Sequence, residues 1–417
     1  MRFCMVTTFY PPRHLGGDAI YVQSLARGLV REGHAVDVVC CDDAYVLAGG
    51  EPLAAAARAQ DTVADGVRVH RIASPVLGRL ASLWMHQAGG PGPLRAAMAA
   101  VLDRGYDVLH FHNVSLAGGP AVLGLGRADL RLLTLHDYWF VCPTHLLWKN
   151  GERVCERPAC LGCTLRSRRP PQPWRWGEGR ERALSHVDAV LAPSAWSASE
   201  HRRRGFPRAI DVLPLFSRFP AAARPSAPPS RPRFLYAGRL IASKGVRLLA
   251  ELFARLPHYD LVLVGDGELA APLVSAYAAC PNLRFAGALG AEDLASHYAA
   301  ATATIVPSLA PESFGLVAVE SFAFGTPVIT LDPGACGDLV RESGGGIACR
   351  DAADLEAAIH RLASDPALRD ELGARALATC ADRFGEARHL DDYLTLVDAR
   401  RRRGSPAVAD RLAPVVP

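Results

Sequence analysis

The segment Glu312-Ser-Phe-Gly-Leu-Val-Ala-Val-Glu320 sets two carboxylates eight residues apart around the start of a short helix. Pro311 precedes it and Gly325-Thr-Pro327 closes it, which predicts a helix from Gly315 to Phe324. Eight helical residues bring a side chain back to within about 80° of its starting direction. Glu312 is therefore expected just before the helix, and Glu320 two turns inside it on a similar side. The N–H groups of Phe314, Gly315 and Leu316 lack intrahelical acceptors there, and the helix dipole draws anions to that end. Gly315 also removes a side chain where a ligand would approach the backbone. An anion site between two accepting carboxylates suits a ligand that is part phosphate and part polyol, as a nucleotide sugar is. The plainer account is an amphipathic helix with one surface and one capping glutamate.

A second oddity weighs against that plainer account. Only two of the 46 basic residues are lysines, Lys149 and Lys244. Lys244 lies in Gly238-Arg239-Leu-Ile-Ala-Ser-Lys244-Gly245, where the apolar run Phe234 to Ala237 gives way to a helix. Lysine is a compact point charge suited to a phosphate oxygen in a tight space, whereas arginine offers a planar fork. Arg239 and Lys244 together suit a diphosphate.

In the N-terminal half, His136-Asp137-Tyr138-Trp139 ends an apolar run, at the sheet edge where open α/β folds place ligands. A histidine there suits hydrogen bonding to a sugar, and a core histidine satisfied by Asp137 or a carbonyl is the alternative. Gly16-Gly17 starts a helix and would let a phosphate approach the backbone, although a plain loop accounts for it equally. His110 and His112 are expected on opposite sides of their strand, and so not as a metal pair.

These motifs, in this order, resemble a retaining GT-B glycosyltransferase of family four, the group 1 type. The matching positions are Gly238, Arg239, Lys244 and Gly245, then Glu312, Phe314, Gly315, Leu316 and Glu320. The resemblance implies two Rossmann-like parallel-sheet domains facing across a cleft. It implies that Arg239 and Lys244 bind the donor diphosphate, that Glu312 binds the donor sugar and that Glu320 binds the ribose. Asp266, in the turn after the strand Leu261 to Val264, falls where such enzymes approach the nucleobase. Gly16 and Gly17 would face the donor phosphate, and His136 would act at the sugar. Glu312 and His136 are thus the candidate catalytic residues. The expected reaction moves a hexose-like sugar from a nucleoside diphosphate to the hydroxyl of a sugar or lipid-linked acceptor, in polysaccharide or glycoconjugate synthesis. No catalytic metal is expected.

The elements agree with such a fold. Apolar runs at 2–7, 35–40, 67–72, 107–111, 131–135 and 188–192 alternate with helical segments, as a parallel sheet requires. A second series runs at 233–238, 260–265, 283–287, 303–306 and 327–330. Tyr21, Leu25 and Leu29 beside Val22, Ala26 and Val30 predict a helix over 17–31. The expected division is an acceptor domain over 1–215 with a Cys-rich insertion at about 140–177, a Pro/Ser/Ala/Arg-rich linker over 216–233, and a donor domain over 234–386. A helix over 387–402 would cross back to the first domain, and 403–417 reads as a disordered tail. Hydrophobic residues make up 50% and charged residues 21% of the chain, an ordinary globular balance. A net charge of +4 asks for no nucleic-acid partner. The apolar start is too short for a signal peptide, and no run is long enough to span a membrane, so a cytoplasmic enzyme is expected.

Four of the eleven cysteines, Cys142, Cys155, Cys160 and Cys163, fall in one stretch. They form a candidate structural zinc site, with Cys160-x2-Cys163 as one half of the clamp, against the alternative of free thiols. Arg168 and Arg169, interleaved with Trp174 and Trp176 further on, suit peripheral contact with an anionic membrane face. A zinc-stabilised nucleic-acid-binding protein is a rival reading of these segments, but it leaves Lys244 and Glu312 unexplained. A nucleotide-sugar epimerase on the same fold is the closer competitor.

Overall fold

The structure, a computed structural model, describes residues 1–54, 58–167, 169–222, 231–332 and 334–404. The chain forms two compact units: Met1–His145 with Cys160–Leu213 and the segment from His389 on, and Leu146–Ala159 with Pro214–Arg388.

The strands of the first unit are β1 (Arg2–Val6), β2 (Ala35–Cys41), β3 (Thr62–Ala64), β4 (Val67–Ile72), β5 (Tyr106–Phe111) and β6 (Ala128–Thr134). A hairpin of β7 (Trp148–Lys149) and β8 (Arg153–Val154) follows, grouped with the second unit, and then β9 (Ala189–Ala192) and β10 (Asp211–Val212) complete the first. Phe3 to Val6 are all buried, the continuous apolar run of a strand covered on both faces. The sheet order is β10-β9-β6-β5-β1-β2-β4-β3, with only β3 antiparallel to its neighbour. From β1 the chain builds outward through β2 and β4, then returns to β5 and builds the other way. The loops after β1 and β5 therefore diverge, which is where doubly wound sheets leave a ligand crevice. The helix Gly17–Arg31 buries Tyr21, Val22, Leu25, Ala26 and Leu29 on one stripe.

The last helix, Glu386–Gly404, exceeds the expected span of 387–402 by one residue at its start and two at its end. Leu390, Tyr393 and Val397 are buried. Within the first unit Tyr393 Oη lies 3.0 Å from His110 Nδ1, and Arg401 donates to Asp107 at 2.9 Å and Asp129 at 2.8 Å.

The second unit repeats the topology. Its strands are β11 (Arg233–Ala237), β12 (Asp260–Val264), β13 (Leu283–Gly287), β14 (Ala303–Val306), β15 (Val328–Leu331) and β16 (Gly346–Cys349). All pair in parallel in the order β13-β12-β11-β14-β15-β16, so its switch point lies between β11 and β14. β16 is not anticipated from sequence, because Gly344-Gly345-Gly346 reads as a loop. In the sheet a Cβ on Gly346 would stand 1.9 Å from the Val328 carbonyl oxygen, so glycine is what lets the strands approach. Residues 223–230 of the expected linker and 405–417 of the expected tail lie outside the described residues.

Candidate active site

The switch point of the second unit gathers the expected donor residues. After β11 the chain makes a tight turn at Gly238-Arg239-Leu240, and the turn after β12 packs on it. Leu240 donates to the Asp266 carbonyl at 2.8 Å, and a Cβ on Gly265 would collide with the Gly238 carbonyl at 1.9 Å. Asp266 and Arg239 are both exposed on this surface. Lys244 closes a short 3-10 turn, and Gly245, at φ +68°, starts the helix Val246–Ala254. A side chain at Gly245 would meet the Pro307 carbonyl, which draws the β11 and β14 loops together.

Across the switch point Lys244 Nζ lies 2.5 Å from Glu312 Oε1, and Ser308 Oγ donates to the same oxygen at 2.5 Å. Burial pushes the Glu312 pKa up, but the charge and hydrogen bond of Lys244, then Ser308 and Arg239, outweigh it and hold the carboxyl below its ordinary value. Glu312 is thus ionised at neutral pH, with both cations of the diphosphate motif close enough to act on it. The helix after it is Leu316–Phe322, shorter than the predicted span, with Gly315 at φ +103° as its cap. Phe314 is buried against Phe384, with ring centroids 5.9 Å apart, whereas Leu316 is partly exposed.

Glu320 does not share the setting of Glu312. It is 4% exposed, Tyr298 Oη donates to Oε2 at 2.9 Å, and Arg218 Nε stands 2.8 Å from Oε1. The Nε–H is not aimed at that oxygen, so this contact is an ion pair without a directed hydrogen bond. Burial raises the Glu320 pKa above its ordinary value, and Arg218 and Tyr298 only partly offset it. Each oxygen still has a free lone pair, because a carboxylate offers about four acceptor sites. Sequence reasoning missed Arg218, Tyr298 and Ser308. Ser308, four residues before Glu312, was open to inspection. Arg218 sits in the stretch that reads as linker, where nothing marks it.

In the first unit, Gly16, at φ +94°, caps the Gly17–Arg31 helix, and both glycines are exposed. The switch-point loops meet here: Thr8 N–H donates to the Asn113 carbonyl at 2.6 Å, and Asn113 Nδ2 lies 3.4 Å from both Asp18 and Asp137 carboxylates. His136 is partly exposed, and its Nε2 lies 3.0 Å from His112 Nδ1. Burial lowers its pKa, opposed by Asp18 and Asp137. Asp137 also pairs with His145, at 2.8 Å. His110 and His112 correct the sequence expectation. Side chains two apart along an extended chain share a face, and their rings stand 3.9 Å apart. Asp18, Asn113 and His112 were also missed, although their position after β1 and β5 follows from the switch-point rule.

None of the four clustered cysteines forms a disulfide; Cys142 is buried and Cys155, Cys160 and Cys163 are partly exposed. Among the described residues no group of three or more His, Cys, Asp or Glu side chains is placed to hold a metal ion. Trp174 is half-buried under the Arg175 guanidinium, 4.2 Å from the ring centre, while Trp176 and Arg169 are exposed. Arg168 lies outside the described residues. Among those described, no helix is long and apolar enough to cross a membrane.

Two doubly wound parallel-sheet units, with a Lys–Glu pair at the switch point of the second, define the GT-B class of fold. Sucrose-phosphate synthase from Thermosynechococcus elongatus shares it, at TM-score 0.72 and 21% identity over 95% of this chain and 98% of that one. The pattern described as Glycosyltransferase Family 4 matches residues 15–216, and that described as Glycosyl transferases group 1 matches residues 220–378. A GDP-mannose-dependent alpha-mannosyltransferase of Mycolicibacterium smegmatis is 30% identical over 82% of each chain. Glycogen synthase of Mycobacterium tuberculosis is 28% identical over 88% of this chain and 87% of its own. The chain belongs to glycosyltransferase family four, of the group 1 type, and is an enzyme of the hexosyltransferase class.

Proposed function

We propose that the protein transfers a hexosyl group from a nucleoside-diphosphate sugar to an acceptor hydroxyl with retention of configuration. The observation that carries this reading is the Lys244–Glu312 pair at the switch point of the second unit, with Arg239 beside it. In the free enzyme Glu312 neutralises Lys244. A bound diphosphate would take over Lys244 and Arg239, and Glu312 would turn its accepting oxygens to the sugar hydroxyls. The cations then stabilise the departing diphosphate, where most charge develops. The new bond joins the acceptor oxygen to the anomeric carbon, the bond to the phosphate oxygen breaks, and the acceptor proton passes to a donor phosphate oxygen. Glu320 holds the ribose and Asp266 borders the nucleobase. In the first unit, His136 contributes a hydrogen bond to a sugar hydroxyl and Gly16-Gly17 admits a phosphate oxygen. The acceptor is a sugar or a lipid-linked sugar in polysaccharide or glycoconjugate synthesis on the cytoplasmic side, a reading to which the glycogen synthase likeness lends support.

A thermal-shift screen across UDP-, GDP-, ADP- and dTDP-sugars tests the donor, and one nucleotide class should stabilise well above the others. Product analysis then separates transfer from its competitor. An epimerase would consume the donor and release an isomer without any acceptor, whereas this reading requires acceptor-dependent release of nucleoside diphosphate.

A zinc on Cys142, Cys155, Cys160 and Cys163 draws no support from the geometry of the described residues. Elemental analysis of protein prepared without chelator tests a structural zinc on these four residues against thiols without metal. About one zinc per chain, released by Cys160→Ser with a lowered Tm, would establish a structural site, and no zinc or iron would count decisively against it.

A further inference from the structure

Large exposed side chains are not spread evenly over this protein. Of the ten large hydrophobic residues exposed among the described ones, seven fall in two segments of the first unit. Val76, Leu77, Leu80 and Trp84 lie on and just before the helix Arg79–Ala88. Leu161, Leu165 and Trp176 lie on the helix Cys160–Arg166 and the turn after it. The first helix already buries Ala81, Ser82, Met85 and His86, so its inward face is spent on the core. Its outward face should then be charged, as surface helices are. It carries Leu80 and Trp84 instead, with Arg79 as the helix's only charged residue. Leu161 and Leu165, four apart, likewise share one outward face.

The charge pattern of both segments has one sign. No Asp or Glu occurs from Gly66 to Leu102, a stretch containing Arg68, Arg71, Arg79 and Arg95. None occurs from Arg157 to Gly177, which adds five more arginines. The segments are joined in space. Trp174 Nε1 donates to the His86 carbonyl at 3.3 Å, Gln172 Nε2 lies 3.0 Å from His86 Nε2, and a Cβ on Gly89 would run into the Trp174 ring at 2.7 Å. The turn bearing Trp176 is thereby held against the C-terminal end of the Arg79–Ala88 helix.

We propose that this surface docks the first unit on an anionic lipid bilayer, with Leu77, Leu80, Trp84 and Trp176 entering the headgroup level and Arg79 and Arg169 meeting lipid phosphates. Leucine and tryptophan projecting from a segment with arginine as its only charge match what an interfacial helix needs. A protein partner of mixed charge would not select for two acid-free stretches. The proposal extends the membrane reading of the Arg/Trp segment to a second element, and it stands apart from the donor assignment, because none of these residues lies in the second unit.

Co-flotation of the full chain with vesicles tests it. Binding is expected to phosphatidylcholine vesicles containing phosphatidylglycerol and not to phosphatidylcholine alone, and added salt should weaken it. The double variant L80S/W84S should lose at least about tenfold in vesicle affinity while keeping its circular dichroism and Tm, since both side chains are exposed. The charge variant R79E/R169E should lose binding comparably. Failure of the wild-type chain to float with anionic vesicles overturns the proposal, as does equal binding by L80S/W84S. A concentration-dependent dimer in light scattering, abolished by L80S/W84S, would assign the face to a second copy and overturn it equally.

Discussion

Lys244→Ala is expected to lower turnover roughly ten- to a hundredfold at saturating donor, the loss of one charge-assisted hydrogen bond of about 1.5–3 kcal/mol in the transition state. Lys149→Ala should change it little. Lys149 spends its ammonium on the Arg157 carbonyl, at 3.0 Å, and lies outside the donor motifs. Lys244 has two tasks in the second unit. It would meet the diphosphate, and in the free enzyme it is the main charge keeping Glu312 ionised against burial. Its removal therefore strips a phosphate ligand and raises the Glu312 pKa at once. Lys244→Arg should restore only part of the rate, because a planar fork replaces a compact charge at a turn closed by Gly245. Initial rates with the donor found in the screen decide the matter. Equal rates for the two alanine variants would remove Lys244 from the clamp.

The fold was legible because both sheets are parallel and buried, so their strands stand out as apolar runs. The strands missed are those without that signature: β3 is fully exposed, β7, β8 and β10 have two residues each, and β16 opens on glycine. Lys244 was conspicuous because lysine is scarce, and Glu312 because of its spacing to Glu320. What the sequence did not reveal is who holds each group. Arg218 and Tyr298 lie 102 and 22 positions before Glu320, and only the packing of the second unit brings them to it. Helical spacing suggested that Glu312 and Glu320 share an environment. They do not, because Glu312 precedes the helix on a loop beside Lys244 while Glu320 points from the helix into the core. The His110/His112 misreading has another source: strand alternation applies to neighbours, and these are two apart.

The unlike surroundings of the two glutamates allow their roles to be separated. Glu312→Gln keeps shape but accepts sugar hydroxyls less well, so it should lower kcat by about tenfold or more with little change in affinity for the free nucleoside diphosphate. Glu320→Gln should weaken that affinity itself, because a ribose contact exists whether or not a sugar is attached. Protonation supplies an independent arm. Burial raises the Glu320 pKa, so its carboxylate is lost as pH falls at a higher pH than for an ordinary glutamate, and nucleotide affinity should fall with it. Glu320→Gln has no such proton to gain and should lose this part of the pH dependence, with the titration of the nucleotide phosphate common to both. Arg218→Met removes the chief charge opposing burial, so the Glu320 pKa climbs further. The variant's binding should therefore fall off at a higher pH than that of the wild-type chain, and Arg218→Lys should restore a near-normal profile. Calorimetric titration of the four variants with the matching nucleoside diphosphate, across pH, reads all of this. If Glu312→Gln abolished binding while Glu320→Gln left it intact, the donor would lie the other way round. A pH profile unchanged by Arg218→Met would make that arginine a packing residue with no hold on the ribose site.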